Sequence, residues 1–187
     1  MAVTPSQMIP LGTEAPSFDL TDPRGGRTTL DDLAEAPALL VAFWCNHCPF
    51  VKHIRQGFVD FVNEYGPRGL ALVAINSNDA ETHPQDSPEQ MVHEAETHGF
   101  PFPYLVDDTQ EVARAYDAAC TPDFFLFDGD RKLVYRGQFD GARPGNSVPV
   151  SGDDLARAVD AVLDGQAPDG DQVPSIGCNI KWKASSG

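Results

Sequence analysis

The apolar positions of the chain fall into two kinds of run. Ala38-Leu39-Leu40-Val41-Ala42-Phe43 and Leu70 to Ile75 are nearly unbroken, the pattern of strands buried on both faces. Phe50, Val51, Ile54, Phe58, Phe61 and Val62 recur at helical spacing and predict a helix ending at Tyr65-Gly66-Pro67. Ser87-Pro88-Glu89-Gln90 opens a second helix, with Ser87 as N-cap and Pro88 at the first helical position, and this helix stops near Gly99. Tyr104-Leu105-Val106 reads as a short strand, Thr109 to Tyr116 as a short helix, and Asp123 to Phe127 as a third core strand. Asp128-Gly129-Asp130 then turns the chain into a strand over Lys132 to Gly137, an antiparallel hairpin. Ser151 is the predicted cap of a last helix through Leu163. Near the start, Phe18-Asp19-Leu20 and Arg27-Thr28-Thr29 flank a turn over Asp22 to Gly26 as a small hairpin.

This order of elements predicts an α/β protein with a mixed central sheet and helices on both faces. In such sheets ligands gather at the carboxyl ends of the strands. There is no internal repeat, and 187 residues suit one domain over 1–187. Its core is expected over about 10–165, with the tail 166–187 packed on it.

Charge narrows the field. The formal net charge is −15, with four Lys against nine Arg, which argues against a nucleic-acid partner or an acidic membrane surface. No apolar stretch approaches the roughly 20 residues of a membrane span. Met1 to Leu11 lacks the basic and apolar regions of a signal peptide. The expectation is a cytoplasmic protein, where paired cysteines read as catalytic or metal-binding rather than as a structural staple.

The candidate chemistry is Cys45-Asn46-His47-Cys48, followed by Pro49. It lies between the first core strand and the first helix, where unpaired N–H groups and the helix dipole favour a thiolate. Two thiols at this spacing can cycle between dithiol and disulfide. His47, set between them, is a candidate for tuning that couple. Cys120 is either a third thiol near the pair or a buried small hydrophobe. Cys178, in the tail segment Ile176 to Trp182, is either a resolving or relay thiol or part of a cover over an apolar patch. A zinc site built from all four cysteines lacks a second Cys-x-x-Cys, so no metal ligand and no cofactor is assigned.

The order of elements with a Cys-x-x-Cys resembles the thioredoxin-like superfamily, in its redoxin branch. Leu11-Gly12-Thr13-Glu14-Ala15-Pro16-Ser17-Phe18-Asp19-Leu20 is similar to the opening of redoxins and peroxiredoxins, and Thr121-Pro122 before the third core strand is similar to their cis-proline loop. The resemblance implies a three-layer α/β/α sandwich with an N-terminal β-hairpin extension. It also implies a cis Pro122 packed on the cysteine pair, with the backbone of Thr121 ready to pair with a substrate strand. A histidine before the second cysteine resembles disulfide isomerases and bacterial disulfide oxidases, where it stabilises the reduced form.

The register of the motif stays open. Aligned on Phe43-Trp44, the family's nucleophile falls on Cys48, and Cys48-Pro49 resembles a peroxiredoxin's peroxide-reacting cysteine. Aligned on the motif, Cys45 is the nucleophile and Cys48 its partner. The implied function is a thiol–disulfide oxidoreductase, an antioxidant redoxin acting on protein or small-molecule disulfides or peroxides with an external thiol reductant. The alternatives are a thiol peroxidase using Cys48, and a redox sensor or metal-binding protein.

Overall fold

A computed structural model describes residues 2–184; Met1 and 185–187, at the two ends of the expected domain, lie outside the described residues. The chain runs β1 (Val3–Pro5), β2 (Asp19–Thr21), β3 (Arg27–Thr29), β4 (Ala38–Phe43), α1 (Pro49–Tyr65), β5 (Leu70–Asn76) and α2 (Pro88–His98). It continues with β6 (Tyr104–Val106), α3 (Glu111–Ala115), β7 (Cys120–Thr121), β8 (Asp123–Phe127), β9 (Leu133–Tyr135), α4 (Asp153–Leu163) and β10 (Ile176–Asn179).

The central sheet is mixed, in the order β3-β2-β6-β5-β4-β8-β9. β4, β5 and β6 are parallel, and the strands beyond them are antiparallel. Side chains alternate across a strand, so β4 divides cleanly. Ala38, Leu40 and Ala42 join the core that packs α1, α2 and α4 on one face. Leu39, Val41 and Phe43 join the core that packs α3 and the N-terminal residues Ile9 and Ala15 on the other. The result is an α/β/α sandwich. Phe58 of α1 sits at the centre of the first core, stacked on Trp44 at 4.7 Å and ringed by Phe61, Phe102, Phe124 and Phe139.

Several elements depart from the periodicity reading. The β2–β3 hairpin is joined to the central sheet, because Thr21 pairs with Val106 of β6. The short helix expected from Thr109 begins at Glu111, since Gln110 takes a left-handed φ of 63° and the Asp107 carboxylate accepts from the N–H groups of Val112 and Ala113. Ser151 stands one residue ahead of the N-cap of α4, with its hydroxyl accepting from the Asp153 N–H at 3.3 Å. The N-cap is Gly152 at φ +69°, and the Asp140 carboxylate accepts from the N–H groups of Ser151 and Gly152. A side chain at 152 would also strike the Phe139 ring, at 2.6 Å.

Pattern reading did not foresee a second sheet, β1-β10-β7. Its strands are two to four residues long, too short to carry a legible period. In it β10 lies antiparallel to both neighbours, with Cys178 opposite Val3 on one side and Thr121 on the other. The tail is thus built into the edge of the site.

The aromatic cluster sets the stability of the α1 face. Phe58→Ala is expected to cost about 3–5 kcal/mol, read as a lower urea midpoint with an unchanged m-value. A loss within about 0.5 kcal/mol, typical of surface substitutions, would contradict this packing.

Candidate active site

β4 ends at Phe43, and the Trp44 N–H still donates to the Ile75 carbonyl at 2.8 Å, extending the strand's register by one residue. The chain then turns through Cys45, Asn46 and His47 before α1 begins. Cys48 is the N-cap of that helix, in extended geometry, with Pro49 at its first position. The α1 start therefore serves the second cysteine of the motif, and Cys45 stands outside the helix.

The two thiols are tuned in opposite directions. The Cys48 thiol is lowered to about 5; the hydrogen bond from Cys45 is the largest cause, burial opposes it, and hydrogen bonds from Cys178 and from the Val51 N–H add to it. The Thr121 carbonyl, 3.2 Å from the sulfur, works the other way, because it can accept only from a protonated thiol. Cys45 is pushed well up, by burial first, then by its hydrogen bond to Cys48 and by the negative charge of Asp86. Both residues are fully buried.

The opposite wall is the loop between β7 and β8, where the Thr121–Pro122 peptide is cis. Thr121 meets both motif cysteines. Its hydroxyl lies 3.1 Å from the Cys45 sulfur, and its carbonyl accepts from Cys48. From β10, the Cys178 sulfur reaches within 2.8 Å of the Cys48 sulfur; burial first, then the hydrogen bond to Cys48, pushes its pKa up to about 12. Cys120 is buried with its sulfur facing the Pro122 carbonyl at 3.6 Å, and burial, with the charge of Asp123, pushes its thiol far up.

His47 does not stand in open solvent. Its Nδ1 lies 2.5 Å from the Asp86 carboxylate, and its ring stacks on His83 at 5.7 Å. Asp86, buried between β5 and α2, was not legible as a site residue, since nothing near Gln85-Asp86-Ser87 marks it and the fold alone brings it to the motif. It accepts from the Asn46 N–H at 2.7 Å and from Asn78 Nδ2 at 2.8 Å. Burial pushes its carboxyl up, but His47 and these donors outweigh burial and hold it low. Tyr104 extends the network by donating to Asn46 Oδ1 at 2.7 Å. Among the described residues, the only cluster with metal-ligand spacing is Cys45, His47 and Asp86, whose ligand atoms lie within 4.8 Å of one another. The Asp86 oxygens there already hold the motif loop through hydrogen bonds. The four cysteines do not form such a cluster.

A family model described as the AhpC/TSA family matches residues 11–136. The chain belongs to the AhpC/TSA family. It is similar to the thiol-disulfide oxidoreductase ResA of Bacillus subtilis (strain 168), with 27% identity over 129 residues, 68% of this chain and 67% of the relative. A solved structure of a hypothetical protein from Sinorhizobium meliloti 1021 is 55% identical, with a TM-score of 0.96 over 97% of this chain and all of that one (100%). The thioredoxin domain of a thiol-disulfide oxidoreductase from Bacteroides vulgatus is 19% identical and matches with a TM-score of 0.57 over 68% of this chain and 88% of that one. The fold of this AhpC/TSA member is therefore thioredoxin-like.

The lowered Cys48 thiol has a consequence for stability. From about 5 up to the ordinary cysteine value of ~8.5, the reduced folded state binds fewer protons at this sulfur than the unfolded chain does. The stability that Cys48 contributes relative to Cys48→Ser is then fully present above ~8.5, and is lost as pH falls through the folded value, with a slope of at most ~1.4 kcal/mol per pH unit. Urea titrations of the two reduced proteins at stepped pH measure that difference. A difference independent of pH would contradict the assignment.

Proposed function

We propose that this protein is a thiol–disulfide oxidoreductase whose leading nucleophile is Cys48. The observation that carries this reading is the place of Cys48 as the N-cap of α1, with its thiol lowered to about 5 and the Cys178 sulfur 2.8 Å away. The name of the Bacillus subtilis relative supports the same reaction class.

In this reading the Cys48 thiolate attacks one sulfur of a substrate disulfide. The new S–S bond joins Cys48 to that half, and the other half leaves as a thiolate that takes a proton from water. A second protein thiol then loses its proton and attacks the Cys48 sulfur, releasing the first half as a thiol. Two electrons pass from the protein dithiol to the substrate, and an external dithiol reductant restores the protein. Cys45, hydrogen-bonded to Cys48 and to Thr121, is the nearby thiol within the motif. Asp86 acts as a positioning residue, fixing Asn46 and His47 so that the loop presents both sulfurs to Thr121.

Burial of Cys48 favours a second reading. A fully buried sulfur is more open to a molecule the size of hydrogen peroxide than to a protein disulfide. In that case Cys48 gains an oxygen as sulfenic acid while the peroxide leaves as water, and a second thiol displaces water to form a disulfide. That activity would make the protein an antioxidant.

Reduction of insulin or of a small disulfide, driven by dithiothreitol, tests the first reading. Cys48→Ser is expected to lower the rate roughly 10³-fold or more, as for loss of a covalent nucleophile. Cys120→Ala is expected to stay within a factor of about two, as for a buried small hydrophobe. Rapid peroxide consumption with a trapped sulfenate at Cys48, and no disulfide reduction, would favour the second reading instead.

A further inference from the structure

We propose that Cys178 is the resolving thiol of the Cys48 site, delivered to it by the tail strand β10. The proposal rests on the disulfide-exchange reading above and names the second sulfur of that reaction. Its ground is a juxtaposition that spans 130 residues of sequence: the Cys48 and Cys178 sulfurs lie 2.8 Å apart.

Three features show that this meeting is built into the fold. The first is register. β10 pairs with β7 so that Cys178 lies opposite Thr121, the residue whose carbonyl also accepts from Cys48. The second is Gly177. A Cβ at that position would fall 1.9 Å from the Thr121 carbonyl oxygen, so only glycine lets the tail backbone come this close to the loop. The third is fastening on both sides of the strand. Ahead of it, Ser175 donates to the Pro122 carbonyl at 2.7 Å, and its own carbonyl accepts from the Ser6 N–H at 2.8 Å. After it, the Lys181 N–H donates to Asn78 Oδ1 at 2.8 Å, and the Lys181 carbonyl accepts from Gln110 Nε2 at 2.9 Å. The strand is thus tied to the loops on either side of the motif, and Cys178 is left only 4% exposed.

The surroundings of the two rival thiols differ. Cys45 lies on the loop held by Asp86, whose negative charge opposes its ionisation. Burial and the hydrogen bond to Cys48 raise the Cys178 thiol too, and the cationic Lys181 nearby offsets part of that rise. In the mixed disulfide of Cys48 with the substrate, Cys178 is the thiol that β10 holds against the Cys48 sulfur. Cys178 then loses its proton to solvent and attacks the Cys48 sulfur of the mixed disulfide. The Cys48–Cys178 bond forms as the bond from Cys48 to the substrate breaks, and the substrate leaves as a thiol.

The test uses the full-length reduced protein, mixed with an equivalent of 2-hydroxyethyl disulfide, quenched with acid at successive times and mapped by peptide mass spectrometry. The expected first intramolecular link is Cys48–Cys178. Cys178→Ala, and the closer match Cys178→Ser, are expected to accumulate the hydroxyethyl adduct on Cys48 roughly tenfold above wild type, as for loss of the attacking thiol, whereas Cys45→Ala is not. Cys45–Cys48 forming first, with Cys178→Ser clearing its adduct at the wild-type rate, overturns the proposal and leaves Cys48 as the nucleophile. Absence of any adduct on Cys48 in all variants overturns both. The wild-type map decides the matter even if a variant folds poorly.

Discussion

The site depends on one constraint, the single register in which β4 is held between β5 and β8. Phe43 lies opposite Ile75 on one side and Asp123 on the other. The two turns that carry the sulfur chemistry leave from those positions: Trp44 to Cys48 follows Phe43, and Cys120 to Pro122 precedes Asp123. A slip of one residue would exchange the faces of β4. The small side chains of Ala38 and Ala42 would leave the face that holds the Phe58 cluster, and Leu39, Val41 and Phe43 would enter it. Packing to near-crystal density tolerates no such exchange. Steric fit in the core thereby fixes Cys45 and Cys48 against Thr121 to within a hydrogen-bond length.

On that frame, electrostatics separates two thiols only three residues apart. The α1 start and the sulfur-directed donors stabilise charge on Cys48. Burial and the Asp86 carboxylate suppress it on Cys45. Asp86 is itself a buried charge, and such a group is tolerable only when its oxygens are satisfied. Asn46 and Asn78 donate to them and the His47 ring lies against them, and the same contacts give the motif loop its shape. A second buried carboxyl, Asp123, follows Pro122. Burial raises it to about 7, while Ser6 donates to it at 2.6 Å. The N-terminal segment and the cis-proline loop are joined through that contact.

Much of the central sheet was legible because its strands are long enough to show a pattern. β4, β5 and β8 read as unbroken apolar runs, α1 as a helical stripe, and Ser87-Pro88 as a helix start whose serine does cap, accepting from Gln90 at 3.3 Å. The shorter pieces were not legible. Strands β1, β7 and β10 hold too few residues for periodicity, and their pairing is set by partners in distant segments, Cys178 facing Thr121 on one side and Val3 on the other. The α4 cap falls at Gly152, one residue later than expected, because the Asp140 carboxylate, outside the four-residue window in which a capping side chain is sought, takes the Ser151 and Gly152 N–H groups while the Ser151 hydroxyl takes that of Asp153. Asp86 and Tyr104 escaped notice for the same reason, since each reaches the motif across the fold.

By itself the sequence determined that the chemistry is thiol chemistry at the end of a buried strand. Cysteine spacing, the apolar run before it and the proline after it are all local, and local pattern is what a sequence displays. It left the order of the two cysteines open, because both stand within a residue or two of the predicted helix start. Tertiary structure started α1 at Pro49, which leaves Cys48 as its cap. It also decided the company that Cys48 keeps, placing Thr121 and Cys178 around one sulfur through strand pairings between distant segments. Contacts of that kind depend on the register of whole strands in a packed core, a collective property that no short window of residues carries.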